Sequence, residues 1–132
     1  MSDYEHSAIT EKIIGCAYRV ANELGIGFLE KVYENALAYE LLKAGLAFKQ
    51  QPSVVVYYAD IIAGEYVADL IVEDSVIVEL KAIKKLESTH FAQCMNYLRA
   101  TNMSVALLIN FGNPKVETKR IVNTAYGLRS ER

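Results

Sequence analysis

VADLIVEDSVIVELK, residues 67–81, is the stretch on which the fold turns. In an extended chain Val67 and Ile71 point one way, and Ala68, Leu70 and Val72 the other. In the second half Ile77 points one way, and Val76, Val78 and Leu80 the other. Apolar residues on both faces predict two central strands, about Glu65 to Val72 and Val76 to Lys81. Glu73-Asp74-Ser75 is the loop between them, and a three-residue loop pairs Val72 with Val76. Counting back sets Asp69 opposite Glu79, with β-carbons roughly 4.5–5.5 Å apart. Lys81 shares their face, because side chains alternate with period two.

Two opposed like charges weaken a strand pair, and a buried charge costs several kcal/mol unless it is paired or bound to a metal. A hard divalent cation removes that conflict, since Mg²⁺ is held by one or two carboxylates plus waters and phosphate oxygens. Lys81 could then position or deprotonate an attacking water, or stabilise a pentavalent phosphate. The spacing leaves a second arrangement open, in which Lys81 neutralises one carboxylate and the other reaches solvent.

Outward from this hairpin the chain alternates clearly. Ile13, Ile14, Ala17, Val20, Ala21 and Leu24 recur at helical spacing and predict a helix over about Ser7 to Leu24, stopped by Gly25-Ile26-Gly27. A second helix is expected over about Leu29 to Ala44, ended by Gly45. Pro52 opens a β-rich region, with a strand at Ser53 to Tyr58 and a turn at Ala59 to Gly64. A third helix spans about Leu86 to Ala100, followed by a buried strand at Ser104 to Asn110. Phe111-Gly112-Asn113-Pro114 turns the chain into a last strand, Lys115 to Val122. An antiparallel meander, a crossover helix and further strands define an α/β protein with a mixed sheet flanked by helices. The 132 residues, 52% hydrophobic and 23% charged, suit one domain over 1–132 and argue against disorder.

Both later helices carry polar groups on faces that should be apolar. Glu30 falls on one stripe with Tyr33, Leu37, Leu41 and Ala44. It could equally be a first-turn glutamate serving the helix dipole. His90, Gln93 and Tyr97 share a face of the third helix with Leu86 and Ala100, where each alone would read as a satisfied core residue.

The net charge of −2 does not indicate a strongly basic nucleic-acid binder. Its distribution is uneven: Gly112 to Arg132 holds five basic residues (Lys115, Lys119, Arg120, Arg129, Arg132) against two acidic ones (Glu117, Glu131), and Lys81, Lys84 and Lys85 cluster. Such clusters are solvated surface or phosphate-facing surface. Cys16 and Cys94 lack metal-type spacing and read as reduced, buried thiols. Without an apolar run at the start or a span of ~20 apolar residues, no signal peptide or membrane span is expected, and a cytoplasmic protein is the default.

Taken together, these residues resemble a known family. Gly27-Phe28-Leu29-Glu30-Lys31-Val32-Tyr33 reads as G-x-x-E-x-x-Y. Asp69 with Glu79-Leu80-Lys81 resembles the D…(D/E)-x-K signature of the PD-(D/E)XK nuclease superfamily. Gln93 to Tyr97 is similar to the Q-x-x-x-Y element of its RecB-like and lambda-exonuclease-like branches. From about Thr10 to Val122 the chain resembles the GxxExxY family. Ala68 stands where the superfamily name has Pro, a position that varies widely.

The resemblance implies a restriction-endonuclease-like core of four to five strands, with Asp69, Glu79 and Glu30 as ligands of Mg²⁺ or Mn²⁺ and Lys81 as the catalytic lysine. Gln93 and Tyr97 would orient the site or touch the DNA backbone, and His90 and Tyr33 join them as candidate substrate contacts. The expected function is a metal-dependent phosphodiesterase acting on DNA, with RNA as the second candidate substrate. The alternative is a module on the same fold that binds nucleic acid or a nucleotide without cutting. A homodimer that builds its cleft between subunits is a third arrangement, with Tyr57, Tyr58 and Tyr66 as candidate exposed aromatics.

Overall fold

The computed structural model describes residues 6–124 and 127–131, with side chains for 6–123. Along the chain run α1 (Ser7–Leu24), α2 (Glu30–Lys43), β1 (Phe48–Gln50), β2 (Ser53–Tyr58), β3 (Ile61–Val67), β4 (Leu70–Val72) and β5 (Val76–Lys81). Then follow α3 (Ser88–Thr101), β6 (Val105–Asn110), β7 (Glu117–Thr124) and β8 (Gly127–Glu131).

Six strands form one mixed sheet in the order β1-β4-β5-β6-β7-β8, and β2 pairs with β3 in a separate ribbon. Every pairing is antiparallel except β5 with β6. That parallel pair needs a crossover, and α3 supplies it. The mixed, helix-flanked sheet is the architecture expected from sequence. β1 and β8 extend it at the edges beyond the four or five strands expected.

The two faces of β5 sort the core. Val76, Val78 and Leu80 pack with Leu70, Val72, Val105, Leu107 and Ile109 under α1 and α2. Ile77 packs with Ala106, Leu108 and Ile121 under Cys94, Tyr97 and Leu98 of α3. Burying each large aliphatic side chain contributes roughly 1.5–3 kcal/mol, so the two-sided apolar pattern commits β5 to the middle of the sheet. Glu79 and Lys81 fall on the α3 side by alternation with Ile77.

The expected single strand from Glu65 to Val72 is broken. The Ala68 N–H donates to the Pro52 carbonyl (3.1 Å), and the Gln51 N–H donates to the Asp69 carbonyl (2.8 Å). Gln51 has a left-handed backbone, φ 57°. The two chains therefore bend together: β1 and β4 stay in the main sheet, while β2 and β3 leave it. Val54 and Ala68 then pack with Leu86, Tyr97 and Leu98, so Ala68 lies on the opposite side from Leu70 and Val72. β3 also begins at Ile61, inside the stretch expected to be a turn.

The link between α1 and α2 is tight. Gly25 (φ 68°) and Gly27 (φ 109°) take left-handed conformations that a β-carbon resists. The fully buried Tyr33 fixes this turn: its hydroxyl donates to the Gly25 carbonyl (2.7 Å) and accepts from the Phe28 N–H (3.3 Å). Its ring stacks on Phe111, with centroids 4.7 Å apart.

Candidate metal and active site

Asp69 sits at the bend where β3 hands over to β4, and Glu79 lies one residue past the last β4–β5 pair, Leu70 with Val78. Beyond that pair side chains replace the ladder. The Asp69 N–H donates to Glu79 Oε2 (2.9 Å), and the Leu80 N–H donates to Asp69 Oδ2 (2.7 Å). Each carboxylate thus takes a backbone donor from the opposite strand, which locks the two side by side.

The pair is under electrostatic stress. Burial, followed by the charge of Asp69, pushes the Glu79 carboxyl up to about 8, and the bond from the Asp69 N–H and the charge of Lys81 only partly offset this. Burial also raises Asp69, against the Leu80 N–H that lowers it. Lys81 favours the ionised form of both through space. Among the described residues, however, Lys81 joins no ion pair. The arrangement in which Lys81 directly neutralises one carboxylate is therefore not the one adopted.

Glu30, at the start of α2, faces the same centre from the rim. Its carboxyl is raised by desolvation and feels Lys81, Asp69, Glu34 and His90. Its side chain is largely exposed all the same. Among the described residues no three His, Cys, Asp or Glu side chains converge to hold a metal ion. Glu30 is thus within electrostatic reach of Asp69 without closing a three-carboxylate cage with the pair.

The donor set of the pair fits a hard divalent cation. It offers carboxylate oxygens in a partly desolvated setting whose repulsion a cation would relieve. Cys94 lies within electrostatic reach, and burial pushes its thiol up to about 12, but among the described residues it joins no metal-type cluster.

Gln93 and Tyr97 meet on α3: the Gln93 amide donates to the Tyr97 hydroxyl (3.3 Å). Burial and then the charges of Glu79 and Asp69 push the Tyr97 phenol up to about 12. It therefore stays a neutral hydroxyl beside the pair. His90 caps the helix: its Nδ1 accepts the Glu87 N–H (2.9 Å) within a reciprocal capping box. Tyr33 is the exception among the expected site residues. It is fully buried, with its hydroxyl spent on the α1–α2 turn, so it offers no substrate contact.

A buried support escaped the sequence reading. Glu34, 4% exposed, accepts from Gln50 (2.6 Å), Gln51 (2.7 Å) and Lys31 (3.0 Å). Gln51 Nε2 also reaches Asp69 Oδ1 (3.3 Å), so Glu34 is tied to the pair through one amide. The visible signal was Glu34 one helical turn after Glu30. Asn110, fully buried at the end of β6, holds Ile83 at both backbone atoms (3.0 and 2.9 Å) and so anchors the loop that follows Lys81.

A family model for the PD-(D/E)XK nuclease superfamily matches residues 7–121. The chain belongs to this superfamily. No curated protein and no solved structure matches the chain. Nucleases of this superfamily act on nucleic acids and generally depend on divalent metal ions. Asp69, Glu79 and Lys81, which resemble the D…(D/E)-x-K signature, lie at the open end of the β4–β5 hairpin. Among the described residues no helix is long and apolar enough to cross a membrane. The basic C-terminal segment noted from sequence is partly out of view, since the side chains of Arg129 and Arg132 lie outside the described residues.

Proposed function

We propose that this protein is a metal-dependent phosphodiesterase that hydrolyses DNA, with RNA as the second candidate substrate, and that residues 1–132 form one such nuclease-like domain. The reading rests on a single observation: two adjacent, partly desolvated carboxylates, Asp69 and Glu79, held beside a lysine that forms no ion pair among the described residues. Asp69 and Glu79 would hold Mg²⁺ or Mn²⁺, with Glu30 facing the same position from α2. The bound ion supplies Lewis acidity and neutralises charge on the phosphate oxygens. Lys81 positions the attacking water and stabilises the charge that builds on the phosphoryl oxygens. Gln93 and Tyr97 give neutral hydrogen-bonding groups to the scissile strand, and His90 lies beside them. The order Gly27, Glu30, Tyr33, then Gln93 and Tyr97 supports placement in the GxxExxY family and its RecB-like and lambda-exonuclease-like branch.

Calorimetric titration with Mn²⁺ tests the reading. The wild type should bind, and Asp69→Asn should bind far more weakly. Because Glu79 keeps its proton up to about pH 8, binding near pH 6.5 should release about one proton. Proton release is read by repeating the titration in buffers of different ionisation heat. Absence of binding, or equal binding by Asp69→Asn, removes the enzyme reading and leaves a non-catalytic binding module.

A further inference from the structure

The β2–β3 ribbon leaves the sheet and carries aromatic surface that the core does not use. Tyr57 and Tyr58 are 67% and 73% exposed. Tyr66 meets Tyr97 edge-on, with centroids 5.3 Å apart. Two adjoining hollows lie between the ribbon and α3. One, about 460 Å³, is lined by His90, Gln93 and Tyr97 together with Tyr66 and Asn96. The other, about 450 Å³, shares Tyr66 and Asn96 and continues to Tyr57 and Arg99. The first opens beside the residues proposed to meet the scissile strand.

We propose that this trough is a stacking track for single-stranded nucleic acid, with Tyr57 and Tyr66 carrying bases and Arg99 a phosphate. The inference rests on the nuclease reading and deepens it by naming the substrate class. Three features select this occupant. Although the chain is net negative, neither hollow has an acidic side chain in its lining, and the outer one has a cation. Tyrosine rings offer a flat face with a polar tip, which suits a base more than a purely apolar partner. The track runs toward the Asp69–Glu79 pair, since Tyr97 lines the inner hollow and packs in one cluster with Ala68, next to Asp69, and Ile77, two residues before Glu79 on the same face of β5. Duplex DNA hides its base faces in the stack and is held through many spaced phosphate contacts, whereas an unpaired strand can also stack its bases on the exposed rings beside the Arg99 cation.

The test is fluorescence anisotropy on the full chain in EDTA, where binding is read without cleavage. The probes are labelled oligo-dT and oligo-rU of about 15 nucleotides and a DNA duplex of matching length. The wild type should bind a strand more tightly than the duplex, and the stronger of dT and rU identifies the sugar preferred. Tyr57→Phe should bind as the wild type, and Tyr57→Leu should bind about fivefold more weakly or worse. Equal binding by Tyr57→Leu, or duplex binding as tight as strand binding, overturns the track. So does a sedimenting dimer that Tyr57→Leu converts to monomer, which would assign the surface to a second copy. Ring-dependent binding without any Mn²⁺-dependent cleavage removes the nuclease reading and leaves the track. Cleavage with ring-independent binding does the reverse.

Discussion

Replacing Glu79 by glutamine should stabilise the metal-free protein, and by an amount that depends steeply on pH. Burial and Asp69 raise the Glu79 carboxyl from 4.5 to about 8. Below pH 4.5 the folded and unfolded chains both hold the proton, so Glu79 contributes no penalty. Between 4.5 and about 8 only the unfolded chain releases it, and stability falls by about 1.4 kcal/mol per pH unit. Above about 8 the loss levels off on the order of 5 kcal/mol, a large share of a typical domain's stability. Glutamine keeps an oxygen for the Asp69 N–H and carries no charge, so Glu79→Gln escapes the loss. Urea unfolding in EDTA at pH 5 and pH 9 reads this directly: near-equal midpoints at the lower pH and a variant midpoint higher by about 2–5 M at the upper. Saturating Mn²⁺ should narrow the gap at pH 9, because only the wild type keeps both carboxylates. A variant no more stable than wild type at pH 9, or a difference independent of pH, would refute the account of a strained pair.

Three further outcomes follow from the packing. Gln51→Ala removes the amide that ties Glu34 to Asp69 and should weaken Mn²⁺ binding roughly tenfold, measured by calorimetry, as loss of an outer partner of a metal ligand does; unchanged affinity would make the tie irrelevant to the site. Tyr33→Phe loses both hydroxyl bonds of the α1–α2 turn and should cost about 1–3 kcal/mol in thermal unfolding, with Mn²⁺ affinity intact. A selective loss of Mn²⁺ binding would return Tyr33 to the site. Gly112→Ala drives a β-carbon into the backbone of Ile83, which Asn110 holds in place, and should lower stability by about 3 kcal/mol; an unchanged melting temperature would show that this loop yields.

What could be read from the sequence was what local period and register determine. The apolar alternation of Val76 to Lys81 gave the central strand and its bounds, and the loop Glu73-Asp74-Ser75 gave the Val72–Val76 pairing that sets Asp69 beside Glu79. Helix α1 ends at Leu24 as its spacing predicts. What escaped depended on distant partners. Ala68 changes sides because Pro52 takes its N–H, and no property of residues 65–72 announces that. Ile61 to Gly64 joins a strand despite its Ala and Gly, because Ser53 to Tyr58 pairs with it and tertiary context overrides weak strand propensity. Glu34 and Gln51 become site supports only once α2 packs against the end of β1. Tyr33 was misplaced for the opposite reason: its motif position drew it to the site, whereas its hydroxyl serves the glycine turn. His90 had a local signal, Glu87 three residues earlier, which marks the capping box it occupies.

The most direct test of the central claim is cleavage of end-labelled single- and double-stranded DNA by the purified protein with and without Mn²⁺ or Mg²⁺. The wild type should cut only when the metal is present. Lys81→Ala should fold, bind Mn²⁺ and cut at least a hundredfold more slowly, on the order expected when one charge-stabilising group is lost. Cleavage at equal rates by wild type and Lys81→Ala, or a rate indifferent to the metal, would contradict it.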